Sequence, residues 1–209
     1  MKKYAFIIIL PLILTTLTCH NDNWVLLRAS SDYFPLRNGN YWKYQYQNTL
    51  IVVEVKNDTV INNTLAKIIT RNFENEYWLQ NENELKKLQL RYVNYGGIDY
   101  PIQNVFLLQY KFPFILGSSW STTFNDTVNV LGENYVIQQT IARQVVAIED
   151  INVPAGSFFQ TYKIDFIESF MLNDFTEYYA GSEWYAPDVG LVKRVVNHNE
   201  QVLIEYSLQ

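Results

Sequence analysis

The chain has 209 residues and a formal net charge of −5, with 48% hydrophobic and 16% aromatic residues. This apolar content argues against intrinsic disorder. An acidic chain without a basic cluster is also a poor candidate for binding nucleic acid, whose phosphates select cationic surfaces. Cys19 is the single cysteine, so a disulfide within the chain is excluded and packing must stabilise the fold.

Residues 1–18 have the order of a secretory signal peptide. A basic start with Lys2 and Lys3 precedes an apolar run at 4–14 and a short polar stretch. The run is too short to cross a bilayer, which requires about 20 apolar residues, so a membrane helix is the weaker interpretation. Loss of Lys2 and Lys3 with the signal takes the formal charge from −5 to −7.

Cys19 lies where a lipidated cysteine follows a bacterial signal peptide, and the preceding residues resemble a lipobox. Thr16 and Thr18 replace the Leu and the Ala or Gly that this pattern favours. We predict that Cys19 is lipidated and that its acyl chains anchor the protein to a membrane. His20 stands where the enteric retention signal has Asp, which favours the outer membrane. Without lipidation we expect a secreted protein.

After a tether at 19–32, apolar and polar residues alternate in several stretches of 33–209, as half-buried strands require. We expect Lys163 and Asp165, for example, to face away from the apolar side. The apolar members of the clearest stretches are Trp42, Tyr44 and Tyr46; Leu88, Leu90 and Tyr92; Tyr162, Ile164 and Phe166; and Val202, Ile204, Tyr206 and Leu208.

Short turns separate the predicted strands. Val153-Pro154-Ala155-Gly156 and Ala186-Pro187-Asp188-Val189-Gly190 have the chemistry of tight corners, and Asn62-Asn63, Asn81-Glu82-Asn83 and Asn197-His198-Asn199 indicate hairpin tips. Such short connections imply antiparallel neighbours, and one sheet of about ten to twelve strands must curl. We predict an all-β antiparallel meander that forms a strongly curved, incomplete barrel; the alternative is a two-sheet β-sandwich.

The domain at 33–209 contains an internal repeat, with halves at about 34–111 and 112–209. Phe34, Pro35, Gly39 and Trp42 recur at the same spacing as Phe112, Pro113, Gly117 and Trp120. A second, weaker match aligns Trp78, Leu85 and Lys87 with Trp184, Leu191 and Lys193. We interpret the halves as two similar meanders, each of which starts with a Pro-fixed extended segment and a Gly corner.

Three motifs resemble a group of uncharacterised exported β proteins and lipoproteins of Gram-negative bacteria, of the domain-of-unknown-function class. The motifs are Phe34-Pro35-Leu36 with Gly39, Trp42 and Tyr44; Val153-Pro154-Ala155-Gly156-Ser157-Phe158; and Trp184-Tyr185-Ala186-Pro187-Asp188-Val189-Gly190-Leu191-Val192-Lys193. The resemblance implies a curved antiparallel sheet and supplies no catalytic residues.

No catalytic, metal or cofactor signature is found in the sequence. The two histidines, His20 and His198, are far apart, and we expect His198 to be solvated at a hairpin tip. Glu149 and Asp150 adjoin, so a strand directs them to opposite faces. The remaining candidates for a carboxylate pair are expected to be solvated on the outer face: Asp165, Glu168, Asp174 and Glu177.

These observations favour a non-enzymatic envelope lipoprotein that binds an apolar small molecule, a glycan or a protein partner. The alternatives are a carboxylate-based glycan hydrolase and a structural subunit of a surface complex. Asp58-Thr59-Val60 and Asp126-Thr127-Val128 also resemble a bacterial O-glycosylation signal at Thr59 and Thr127, although Asx turns explain the same residues.

Overall fold

The computed structural model describes residues 33–209, and these fold into twelve β-strands. The strands are β1 Tyr41–Tyr46, β2 Thr49–Ile61, β3 Thr64–Arg71, β4 Glu74–Gln80, β5 Glu84–Tyr95, β6 Ile98–Lys111, β7 Ser119–Val130, β8 Glu133–Val153, β9 Gly156–Leu172, β10 Phe175–Ala186, β11 Gly190–Val196 and β12 Asn199–Ser207. Across this described part, no helical segment has the length and apolar character that a membrane span requires. The predicted signal peptide, Cys19, His20 and the tether lie outside the described residues.

All twelve strands form one antiparallel sheet that curls into a nearly closed barrel. The strand order is β6-β5-β4-β3-β2-β1-β12-β11-β10-β9-β8-β7, so β6 and β7 are the two edges. We call the junction between β6 and β7 the seam, because no strand pairing seals it. The predicted all-β meander and incomplete barrel are confirmed, and the two-sheet sandwich is wrong.

The seam is bridged by side chains instead of a backbone ladder. The indole Nε1 of Trp120 on β7 donates to the carbonyl of Gln109 on β6 at 2.9 Å. Farther along the seam, Nε2 of Gln103 donates to Oε1 of Gln139 on β8 at 2.8 Å. Apolar side chains also pack across the seam, including Ile102 on one side and Val130 on the other. These contacts explain why the sheet curls until its edges meet.

The predicted turns lie where their residue chemistry indicated. Val153 pairs with Gly156 around a two-residue loop, which joins β8 to β9. Asn62 and Asn63 form the β2–β3 tip with φ values of 51° and 60°. Asparagine tolerates this left-handed region better than most residues, so the Asn-rich tips follow from backbone sterics.

The two segments that the sequence aligns have the same backbone contacts. Gly39 and Gly117 both have positive φ, at 87° and 83°, which favours glycine. The paired bonds are Gly39 N to Val55 O and Val55 N to Asn40 O in the first turn, and Gly117 N to Val145 O and Val145 N to Ser118 O in the second. These contacts support the proposal of two related units, in which β1 to β6 correspond to β7 to β12.

The weaker sequence match also places its residues in equivalent contacts. Trp78 on β4 pairs with Lys87 on β5, and Trp184 on β10 pairs with Lys193 on β11. In each pair the lysine ammonium lies over the indole, at 5.6 Å and 5.2 Å from the ring centroid. The match therefore marks the same hairpin in both halves, and it also supports two related units.

Consecutive hairpins turn at alternate ends of the barrel, and residues 33–36 fill one of these ends. We call this segment the plug, and the end that it fills, formed by turns at 62–63, 81–83, 112–118, 154–155 and 187–189, the plugged end. Phe34 of the plug lies 4.7 Å from the ring of Tyr110 and 4.8 Å from that of Tyr185. Tyr33 lies 4.9 Å from the ring of Phe114. We call the opposite end, where the other hairpins turn, the free end.

Two predicted strand faces are wrong. On β5, Leu88 is buried, but Leu90 and Tyr92 are exposed and the polar Gln89 and Arg91 face inward. Gln89 and Arg91 face inward because they lie on the same face of β5 as Leu85, and Leu85 is buried in the aromatic core.

The second error concerns β12, where Leu203 is buried and Ile204 is not. A β-bulge between Lys43 and Tyr44 shifts the register, so Leu203 lies opposite the buried Tyr44. A bulge shifts which residues share a face, and strict alternation cannot locate it.

Candidate functional site

The interior of the barrel holds a cavity of about 390 Å³ above the plug. A volume of this size falls in the range of ligand pockets, at roughly 300–1,000 Å³. Tyr179 is the most exposed of the lining residues, at 43%, and it lies on β10 close to the free end. The cavity therefore reaches the surface near the free end.

One wall of the cavity is apolar. It is built by the plug and by the inward faces of β1 to β3, where Trp42, Tyr44, Val53 and Ile69 are buried. The polar atoms of its two aromatic side chains are satisfied by backbone carbonyls. The indole Nε1 of Trp42 donates to the carbonyl of Val189 at 2.6 Å, and the hydroxyl of Tyr44 donates to the carbonyl of Leu191 at 3.0 Å. This wall offers a contact surface for an apolar group.

The opposite wall carries a buried network around Arg143, which is 4% exposed. Its Nη2 lies 2.6 Å from Glu168 Oε1, and its Nη1 lies 3.3 Å from Glu183 Oε2. The hydroxyl of Tyr185 donates to Tyr110 at 2.6 Å, and Tyr110 donates to Glu183 at 2.7 Å. Every member of this network has a partner, as buried charge requires.

Arg143 also crosses the seam. Its Nε donates to the carbonyl of Gln109 at 2.8 Å, and its Nη2 donates to the Gln109 side chain at 3.1 Å. Burial by itself lowers the pKa of the guanidinium, but Tyr110 and Glu183 outweigh burial, so the pKa of Arg143 is raised. The fixed charge of Arg143 thus joins the cavity wall to the edge strand β6.

A second ion-pair group lies on β3 to β5. Glu76 Oε1 is 2.8 Å from Lys87 Nζ and 3.5 Å from Arg71 Nε. Burial raises the pKa of the Glu76 carboxyl, but Lys87 and Arg71 lower it by more, so the net pKa is below the ordinary value. Glu76 is therefore held as a carboxylate, and it also accepts a hydrogen bond from the indole of Trp78 at 3.0 Å.

Cationic groups outnumber acidic groups on the cavity wall. The five cations are Arg71, Lys87, Arg91, Arg143 and Arg194, and the three acids are Glu76, Glu168 and Glu183. This excess of two positive charges lies inside a chain whose formal charge is −5. The interior is thus suited to a ligand with a negative charge.

The acids of the cavity do not resemble a pair of catalytic carboxylates. Each one is ion-paired with an arginine or a lysine, so its oxygens are already engaged by the protein. The geometry does not favour the glycan-hydrolase alternative. Among residues 33–209, no group of three His, Cys, Asp or Glu side chains is placed to hold a metal ion.

The residues singled out from sequence have different positions. His198 is exposed at the β11–β12 tip, as predicted. Thr127 is exposed on β7 and Thr59 is partly exposed on β2, and glycosylation at either stays a prediction. Glu149 accepts a hydrogen bond from the indole of Trp184, and Asp150 accepts one from the amide of Gln160.

Glu168 corrects the expectation that the acids of this region are solvated on the outer face. It lines the cavity and pairs with Arg143, because β9 turns this residue inward. The sequence analysis also missed Arg143 itself. A usable signal was present in β8, where Gln139 and Arg143 occupy the same alternating row as Ile141 and Val145. A polar residue that alternates with buried apolar residues along a strand indicates that its side chain points into the interior of the barrel.

A match to a family model concerns the second half of the chain. Residues 123–208 match the model of the DUF3108-like family, and this stretch runs from β7 through β12. No curated protein matches the chain. The match confirms the predicted resemblance to a family of unknown function.

Two solved structures are similar over 84% of this chain and 98% of their own. One is a candidate lipoprotein from Parabacteroides distasonis ATCC 8503, with 14% identity and a TM-score of 0.48. The other is a candidate exported protein with a YmcC-like fold from Bacteroides fragilis NCTC 9343, with 13% identity and a TM-score of 0.47.

Proposed function

We propose that this protein is a non-enzymatic binding protein of the cell envelope, anchored through Cys19, which holds a small amphiphilic anion inside its barrel. The ligand class is a molecule with an apolar body and one carboxylate or phosphate group. The observation that carries the proposal is the cavity of about 390 Å³, which has one apolar wall and, over its whole lining, two more cationic than acidic groups.

The two walls favour such a ligand for different physical reasons. Trp42, Val53 and Ile69 gain from contact with an apolar group because its surface leaves water. The opposite wall is already built from desolvated cations, so an anion that enters it meets charges that no longer bind much water. Burial of such a charged cluster at the centre of the fold costs desolvation free energy, and ligand binding gives the cluster a function.

The test is titration of the chain from residue 20 onward, which retains every described residue, with laurate and with lauryl alcohol. Trp42 and Trp78 line the cavity, so intrinsic tryptophan fluorescence should change on binding. Native mass spectrometry should show one bound molecule. We expect saturable binding of laurate with a one-to-one stoichiometry.

Two variants on β5 separate the cavity from the outer surface. Gln89→Trp places an indole in the cavity and should weaken binding at least tenfold, whereas Leu90→Trp changes the adjacent side chain, which is 39% exposed on the other face, and should bind like the parent. Circular dichroism checks that both variants fold. If neither probe binds the parent, or if both variants bind equally well, the proposed function is wrong.

A further inference from the structure

Arg91 differs from every other cation of the cavity. Arg71 and Lys87 share Glu76, Arg143 pairs with Glu168 and Glu183, and Arg194 Nε lies 3.2 Å from Glu183. Arg91 also lines the cavity, yet it forms no ion pair within residues 33–209. Among the described residues, Arg91 is therefore the one cavity cation without an ion-pair partner.

The surroundings of Arg91 hold it in place without satisfying it. Its guanidinium carbon lies 3.5 Å from the centroid of the Phe170 ring, and its buried Nε has no hydrogen-bond partner. Burial lowers the pKa of Arg91, and the more distant Glu177 opposes this only in part. A guanidinium that is stacked on a ring keeps its in-plane N–H donors free for a planar acceptor.

Amide side chains next to Arg91 add donors on the same wall. Gln103 Nε2 donates to Gln139 Oε1 at 2.8 Å, and Gln139 Nε2 donates to Gln89 Oε1 at 3.4 Å. In this row of hydrogen bonds each amide donates to the next, so the amide nitrogen of Gln89 is the donor that remains free at its end. Gln89 is two residues from Arg91 on the same strand, so the two side chains share a face.

We infer that Arg91, seated on Phe170, is the receptor for the anionic group of the ligand, a carboxylate or a phosphate. The inference rests on the proposed function and assigns the polar end of the ligand to one residue. Arg91 lies on the part of β5 that approaches the free end, so the anionic group lies near the mouth and the apolar body extends toward Trp42 and the plug. Two parallel N–H···O bonds from a guanidinium suit either anion.

The experiment compares laurate, lauryl phosphate and lauryl alcohol on the parent, on Arg91→Gln and on Lys111→Gln. Lys111 is exposed at the end of β6 and does not line the cavity, so its variant removes the same charge elsewhere. We expect the parent to prefer at least one anion over the alcohol by about ten- to a hundredfold, the range for hydrogen bonds to a charged group. Arg91→Gln should abolish this preference and leave alcohol binding unchanged, while Lys111→Gln should keep it.

The outcomes distinguish this inference from the proposed function. If the parent prefers an anion and this preference survives Arg91→Gln, the role of Arg91 is wrong and the binding function stands. If the alcohol binds and the parent shows no preference for an anion, the role of Arg91 and the anionic ligand class are both wrong, and only an apolar binding site remains. If no probe binds, the proposed function fails and the inference fails with it. Arg91→Lys keeps the charge without the planar fork and should lose part of the preference, which provides a second variant in case Arg91→Gln does not fold. The relative affinity for laurate and lauryl phosphate identifies the anion.

Discussion

Three buried tyrosines, Tyr44, Tyr110 and Tyr185, keep their protons at the centre of the fold. Burial is the main cause that raises the pKa of each hydroxyl above its ordinary value. For Tyr185, the neighbouring Glu183 raises the pKa further, because a phenolate would face a carboxylate. In the unfolded chain, tyrosine ionises near pH 10. The folded protein therefore binds more protons than the unfolded chain above that pH.

The free energy of unfolding should consequently fall as the pH rises above about 10. Each tyrosine that stays protonated only in the folded state contributes a slope that approaches about 1.4 kcal/mol per pH unit. Replacement of Tyr110 and Tyr185 by Phe removes two of the three contributions, so the double variant should show a much flatter decline. Urea denaturation from pH 9 to 11 measures the slope.

The matched control for this prediction is Tyr92→Phe with Tyr95→Phe, two rings that are each 53% exposed. This pair should keep the parent slope. An equal slope in the Tyr110/Tyr185 variant and in the parent would contradict the assignment of the alkaline instability to the buried hydroxyls.

At the scale of elements, Asn40 joins three parts of the chain at the plugged end. Its side-chain Nδ2 donates to the carbonyl of Pro35 at 2.6 Å, and its Oδ1 accepts from the amide of Gln209 at 2.8 Å. Its backbone carbonyl accepts from the amide of Val55 on β2. The side chain of Asn40 is fully buried, so these hydrogen bonds hold the plug and the C-terminal end against the start of β1.

Asn40→Ala should destabilise the protein by about 1–3 kcal/mol, because it removes two part-buried hydrogen bonds, those to the Pro35 carbonyl and the Gln209 amide. Asn38→Ala is the control, since Asn38 is exposed in the same turn and bonds only side chains of Asn57 and Lys67. Its effect should stay within about 0.5 kcal/mol. Chemical denaturation measures both variants, and equal losses would refute the role of Asn40.

The sequence predicts the elements better than it predicts their orientation. Strands follow from period-two alternation, and turns follow from Pro, Gly and Asn, whose backbone preferences are local. The face that a strand turns inward depends on bulges and on its pairing partners, which is why Leu90 and Ile204 were assigned wrongly. The charged wall was missed for the same reason: Arg143 and Glu183 have polar side chains, and only the closed sheet shows that they point inward.

At the scale of the whole molecule, the two junctions between the half-barrels differ. β1 and β12 are paired in an antiparallel ladder that one β-bulge interrupts, whereas β6 and β7 at the seam are not paired. If the halves are related units, these two junctions occupy equivalent positions, but only one of them is closed by strand pairing. Edge strands without a ladder keep backbone groups that only side chains or water can satisfy.

Hydrogen exchange should distinguish the two junctions. The amides of β7 that point across the seam should exchange much faster than the amides of β1 that are bonded to β12, because local opening at the seam breaks fewer hydrogen bonds. Exchange followed by NMR gives the rate for each amide. Similar protection of β1 and β7 would show that the seam is as stable as the sealed junction.

The position of the plug also fixes how the barrel is presented to its surroundings. The described chain begins at Tyr33, which is buried in the aromatic core of the plugged end. If Cys19 carries an acyl group as proposed, the anchored segment enters the barrel at its plugged end, and the mouth beside Tyr179 lies at the other end. A ligand of the proposed class would then enter the barrel at the end opposite the anchor.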